Sequence, residues 1–170
     1  MHRFRPSALA VLAGLALLAC ASTEAQLGAE DRSTLLMRHN NWRARYHMAP
    51  LAWDDAVASV AQDWANHLAA SNAFAHRQDP KYGENLWWGT AQAFPIASVV
   101  DSWGGEVADY DAAANRCHAG KMCGHFTQII WWNTLKVGCG KATASSRDIV
   151  VCNYDPPGNY IGQSPFGPAK

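Results

Sequence analysis

Apolar residues in the first half of the chain recur at helical spacing. Leu35, Leu36, His39, Trp42 and Tyr46 follow one another at steps of three and four, which predicts an amphipathic helix opening near Asp31. Asp31 or Ser33 can cap its start by accepting a bond from a free backbone N–H. Met48-Ala49-Pro50 closes it, because a residue before proline avoids the helical region. A second helix is predicted after Asp54, with Val57, Ala61, Trp64 and Leu68 on one stripe and Ser59, Gln62, Asp63 and Asn66 largely opposite. A third opens at Pro95 and buries Ile96, Val99, Val100, Trp103 and Val107. A short fourth covers His125 to Trp131.

The period then changes. Leu135 to Ala142 and Asp148 to Tyr154 are short runs rich in β-branched residues, separated by Thr143 to Arg147, and they predict a hairpin. Gly83 to Trp88 supplies a further strand, and the tail from Pro156, rich in Pro and Gly, reads as irregular surface chain. Several helices and one small antiparallel sheet make an α+β domain.

The N-terminus is of a different kind. Arg3 and Arg5 precede an uncharged apolar run from Ala8 to Ala19, which fits a signal peptide over residues 1–19 and is too short to span a bilayer. No later stretch is long and apolar enough for a transmembrane helix. Leu17-Leu18-Ala19-Cys20 resembles a bacterial lipobox, in which Cys20 is lipidated; Thr23-Glu24-Ala25 before Gln26 offers a cleavage site instead. Residues 20–30, small and polar, then read as a tether, and 31–170 as the folded domain. The expected location is extracellular or on the cell envelope.

Composition supports this. The chain has 170 residues, 49% apolar and 16% charged, enough for a core and against disorder. Lys+Arg and Asp+Glu both number 14, so no basic excess exists to follow a phosphate backbone, and a nucleic-acid partner is not expected. Five cysteines become an even set of Cys117, Cys123, Cys139 and Cys152 once Cys20 is set apart, as suits an oxidising compartment. The eight Trp imply large rigid side chains in a core or groove. Of tandem Trp87-Trp88 on a strand, one must be partly exposed, since neighbours point to opposite faces.

Two longer motifs narrow the reading. Gly124-His125-Phe126-Thr127-Gln128-Ile129-Ile130-Trp131, followed by Asn133, resembles the first signature of the CAP superfamily: the cysteine-rich secretory, antigen 5 and pathogenesis-related 1 proteins, or SCP domain. Ile149-Val150-Val151-Cys152-Asn153-Tyr154-Asp155-Pro156-Pro157-Gly158-Asn159-Tyr160 resembles the second. His39-Asn40 with Arg43, Leu51-Ala52-Trp53-Asp54, Ala61-Gln62 with Trp64-Ala65, and Gly83-Glu84-Asn85-Leu86 are similar to lesser landmarks in the same order. The likeness covers about residues 33–166. The Cys117–Cys123 stretch is most like the plant pathogenesis-related branch, and the leader points to an exported bacterial member.

The resemblance implies an α-β-α sandwich with a three-stranded antiparallel sheet between helices. It also implies a central cleft with a tetrad of His76, Glu84, Glu106 and His125. Gly104-Gly105 ahead of Glu106 loosens the end of the third helix. Two imidazoles plus water can hold zinc or another divalent metal ion, so His76 and His125 are the candidate ligands, with glutamates fixing the ring tautomers. The plant-type pattern pairs Cys117 with Cys123. That leaves Cys139 and Cys152, equidistant from Ser145-Ser146, where opposed strand residues bring Cβ atoms to ~4.5–5.5 Å, within reach of a bridge.

His39 lies on the apolar stripe of the first helix and reads as a satisfied core or cap residue, whereas His47, His67 and His118 read as surface. The chain has no H-E-x-x-H helix and no G-x-S-x-G elbow. A metal-dependent hydrolase or protease is thus the lesser reading, with Thr127 the hydroxyl closest to His125 in sequence. The greater is an exported protein that binds a lipid, sterol or other extracellular ligand, with a defence or antagonism role. Trp87, Trp88, Trp131, Trp132 and Phe126 are expected near the cleft, Trp131 in the core. Fungal relatives export sterols through a loop before the first signature; here that stretch is the short Cys117–Cys123 loop. The tail to Phe166 resembles a signalling peptide released by some plant members, although here it continues to Lys170.

Overall fold

In the computed structural model the described residues are 26–168, apart from 79 and 145. Helix α1 spans Ala29–Arg45, strand β1 Ala52–Trp53, α2 Asp55–Ser71, β2 Gly83–Thr90 and α3 Ile96–Gly105. A 3-10 turn at Glu106–Asp109 leads into β3 (Tyr110–Asp111) and β4 (Arg116–Cys117), then α4 (Gly124–Ile129), β5 (Lys136–Ala144) and β6 (Arg147–Asp155). The leader, Cys20 and its cleavage sites lie outside the described residues. Among the described residues no helix is long and apolar enough to cross a membrane.

The sheet has the order β1-β5-β6-β2. The three long strands β5, β6 and β2 are antiparallel, as the resemblance implies, and the two-residue β1 adds a parallel edge beside β5. The hairpin is tighter than its β-branched runs suggest, since Ala144 pairs directly with Arg147.

Helix α2 packs on one face of the sheet, closing a cluster of Ala61, Ala65, Leu68, Leu86, Ala142, Ile149 and Val151. Its close approach needs Gly138 and Gly140, where a Cβ would collide with the backbone of Ala58 or Gln62. The Asp54 side chain caps the helix, accepting from the N–H of Ala56 and Val57 at 3.0 Å each. The other face carries α1, α3 and α4 over a larger core that includes Leu35, Val100, Trp103, Phe126, Val137 and Val150. Three layers result.

Helix α1 departs from its expected start. It begins at Ala29 with Gly28 as the N-cap and no side-chain cap, so Asp31 sits in the first turn rather than before it. Leu27 is buried, and the Arg32 guanidinium donates to its carbonyl, so the folded unit starts inside the expected tether. Burying one leucine is worth about 2 kcal/mol.

Both disulfides form as expected, Cys117–Cys123 and Cys139–Cys152. Cys139 and Cys152 are direct partners in the β5–β6 register. Cys123 is the residue immediately before α4, so its bridge ties the start of that helix to β4.

Candidate functional site

Helix α3 ends at Gly105, and the chain tightens into the 3-10 turn that carries Glu106. The glutamate therefore sits beside the first turn of α4. Its Oε1 accepts from His125 Nδ1 at 2.6 Å, and its Oε2 accepts from the backbone N–H of His125 at 3.0 Å and of Phe126 at 3.4 Å. These N–H groups have no partner inside the helix, so one carboxylate both caps α4 and orients its histidine. Burial pushes the Glu106 carboxyl up; the His125 hydrogen bond and charge and the two backbone donors outweigh this, and its pKa lies below the usual value. Trp103 stacks on the His125 ring, centroids 6.0 Å apart and planes 22° from parallel.

The second pair comes from the α2 side of the sheet. His76 lies in the loop after α2, and its Nδ1 donates to Glu84 Oε1 at 2.9 Å. The same oxygen accepts from the Arg77 backbone N–H at 3.1 Å. The Glu84 side chain is almost wholly buried and that of His76 is 61% exposed, so a fixed carboxylate holds an accessible ring. Oε2 of Glu84 is buried with no hydrogen-bond partner among the described residues.

In each pair the carboxylate accepts, so the proton of the neutral imidazole is on Nδ1 and the lone pair is on Nε2. His76, Glu84 and His125 line one depression of about 360 Å³, with Asn85, Met122 and the Cys117–Cys123 bridge also on its wall. The tetrad residues thus come together as two His–Glu pairs, from opposite layers, at the start of β2. Among the described residues no group of three or more His, Cys, Asp or Glu side chains is placed to share a metal ion. Two imidazoles with open positions is the donor set on offer, and it fits a divalent ion completed by water.

The aromatic residues are arranged otherwise. None of Trp87, Trp88, Trp131, Trp132 or Phe126 lines this depression; its large apolar side chain is Met122, 68% exposed. Trp131 and Phe126 are core, and Trp132 is exposed. Trp87 and Trp88 sit at the far end of β2, where alternation leaves Trp88 exposed. Their nearness to Glu84 in sequence misleads because four residues of strand extend ~13 Å.

Histidines outside the tetrad divide as their patterns predict: His47, His67 and His118 are exposed, and His39 is wholly buried. His39 Nδ1 donates to the Leu35 carbonyl at 2.8 Å, and Nε2 accepts from the Tyr154 hydroxyl at 2.8 Å. That hydroxyl accepts from Asn85 Nδ2 at 3.1 Å, and the same amide donates to the His125 carbonyl at 3.1 Å. Burial lowers the His39 pKa to about 4; the Leu35 bond opposes this and Arg43 adds to it, so the ring is neutral at pH 7. Asn85 and Tyr154 tie the cleft to the core, a role the motif reading missed. The available signal was Asn85 itself, a polar residue whose strand alternation with Glu84 turns it inward.

Arg43, one turn beyond His39 on α1, is also buried. It donates to the carbonyls of Ala49, Ile129, Trp131 and Thr134, gathering the chain after α4. From the other side, Asn159 Nδ2 donates to the Gly124 carbonyl at 2.8 Å and Asn159 Oδ1 accepts from Thr127 Oγ1 at 2.7 Å.

Residues 36–154 match the Cysteine-rich secretory protein family, CAP. Pathogenesis-related protein 1C of Nicotiana tabacum is 43% identical over 129 residues, which cover 75% of this chain and 76% of that protein. Pathogenesis-related protein 1B of the same plant is 42% identical over 146 residues, 85% of this chain and 84% of that one. Among solved structures, that of NaASP2 with Zn²⁺ has the same fold, with a TM-score of 0.70 and 24% identity over 85% of this chain and 88% of its own. With two signatures, a three-layer fold and these relatives in agreement, the chain belongs to the cysteine-rich secretory protein (CAP) family.

Proposed function

We propose that this is an exported CAP-domain protein that acts by binding an extracellular ligand, a lipid or sterol among the candidates, at the cleft between the two His–Glu pairs. One observation carries the reading: each histidine spends Nδ1 on a glutamate and keeps Nε2 for the same depression. A divalent ion such as zinc, held by His76 and His125, completes the proposal, and Glu84 and Glu106 keep both rings in the ligating tautomer. The unpartnered Oε2 of Glu84 supports it, because a buried carboxylate oxygen without a donor favours a nearby cation or water. The NaASP2 crystal structure with Zn²⁺ supports it by likeness. When bound, such an ion supplies a Lewis-acid anchor for a ligand oxygen.

Thr127 favours binding over hydrolysis. Its hydroxyl donates to Asn159 Oδ1 and lies 3.1 Å from the Gly124 carbonyl, so it is engaged with the tail rather than with His125. The pathogenesis-related relatives support a defence or antagonism role, and the two disulfides support maturation in an oxidising compartment outside the cytoplasm. At Cys20 the proposal is a lipid anchor.

A lipid and sterol pull-down with the purified domain tests the binding reading, alongside an assay of peptide and ester turnover with His76→Ala and His125→Ala controls. Retention of a lipid or sterol class without turnover supports it. Turnover that both variants abolish makes the protein a hydrolase instead.

A further inference from the structure

Three to six residues along β2 from Glu84, ~10–20 Å of strand, a second depression of about 440 Å³ opens. Trp87, Trp88 and Thr90 line it from the strand, Phe94 from the following loop, and Ser98 and Ser102 from one side of α3. β2 is an edge strand, so Trp87 and Trp88, pointing to opposite faces, straddle a free edge. Trp88 is 51% exposed and Phe94 53%, an unusual investment of large aromatic surface in solvent.

These rings are held, not loose. Phe94 meets Trp87 edge-on at 5.5 Å, and Phe74 meets Trp88 edge-on at 6.4 Å. The Arg147 guanidinium lies 5.5 Å over the Trp88 ring and is itself hydrogen-bonded to Asn72, the residue that ends α2. Gly89 is required here, since a Cβ at that position would collide with the Trp87 ring. A platform fixed before binding loses little conformational entropy when a ligand arrives.

We propose that this depression binds a neutral, β-linked saccharide, at a site separate from the His–Glu cleft. The wall chemistry selects that class. Among the described residues no charged side chain lines the depression, and Arg147 beside it is engaged by the Trp88 ring and Asn72, which suits an uncharged occupant. The Ser98 and Ser102 hydroxyls donate to the carbonyls of Pro95 and Val99 at 2.7 Å, so their lone pairs remain to accept from ligand hydroxyls. A β-linked pyranose presents axial C–H bonds on a flat face and hydroxyls around its rim, which matches indole faces bordered by serine and threonine. The volume of about 440 Å³ is of the size that admits one or two sugar rings.

The test uses the mature protein, titrated with N-acetylchitotetraose and with cellotetraose and followed by tryptophan fluorescence and calorimetry. The expected result is saturable binding of at least one, weakened roughly tenfold in Trp88→Ala and also weakened in Phe94→Ala. Trp88→Phe, which keeps a flat ring, falls between. Melting temperatures near wild type establish that the variants fold. No saturable binding of either saccharide, or binding that Trp88→Ala leaves unchanged, overturns the proposal. So does Trp88-dependent binding to phosphatidylcholine vesicles, or Trp88-dependent dimerisation, in place of saccharide binding.

Discussion

Glu106 holds His125 twice, through Oε1 on the ring Nδ1 at 2.6 Å and through Oε2 on the backbone N–H at 3.0 Å. A single carboxylate therefore fixes both where α4 begins and which ring nitrogen faces the cleft. Glu106→Gln removes the charge from both bonds. It is expected to destabilise the fold by about 1–2 kcal/mol, read from urea unfolding. It should also weaken any metal binding at His125 by roughly tenfold or more. Unchanged values on both counts would leave Glu106 without the role assigned to it.

Tyr154 stands between the core and the cleft. Its hydroxyl donates to His39 Nε2 and accepts from Asn85 Nδ2, so Tyr154→Phe strips one buried group of its donor and another of an acceptor. A loss of about 2 kcal/mol is expected in equilibrium unfolding, and an unchanged stability would contradict the role given to the hydroxyl. Asn85 then retains its bond to the His125 carbonyl, so the cleft should change less than the stability does.

Acid sensitivity follows from His39. Its pKa is 6.5 when exposed and about 4 in the fold, so between those values the unfolded chain binds the extra proton. Stability from this group is full above pH 6.5 and is lost as pH falls towards 4, by roughly 3 kcal/mol in all. His39→Gln keeps hydrogen-bonding capacity and cannot titrate there. Its stability, although lower at pH 7, should depend less steeply on pH across that window. An identical slope in urea melts at several pH values would contradict the assignment.

Much of this was legible in the sequence, for physical reasons that differ between elements. The stripes at Val57, Ala61 and Leu68 and at Val99, Val100 and Trp103 identify helix faces because burial repeats with the helical turn. The Cys139–Cys152 pairing follows from symmetry about a hairpin turn. The tetrad was visible only through family motifs, since four residues scattered over 50 positions have no local period. Leu27 was missed because one apolar residue in a polar stretch carries no pattern. The tryptophans were misplaced because closeness in sequence along an extended strand is not closeness in space.

The anchor is decided by mass at the N-terminus. If Cys20 is lipidated, the mature chain begins at Cys20 with a diacylglyceryl mass added, and loss of Cys20 by substitution to Ser releases the protein from the membrane fraction. A chain that begins at Gln26 without lipid makes the lipobox a coincidence.

The central claim is that the two His–Glu pairs form one metal-binding cleft, and zinc titration calorimetry of the wild-type protein beside His125→Ala tests it most directly. Saturable heat is expected in the wild type, and none in a His125→Ala protein that remains folded. A flat wild-type titration, with a marked drop in the melting temperature of His125→Ala, would mean that the tetrad only stitches the helices to the sheet.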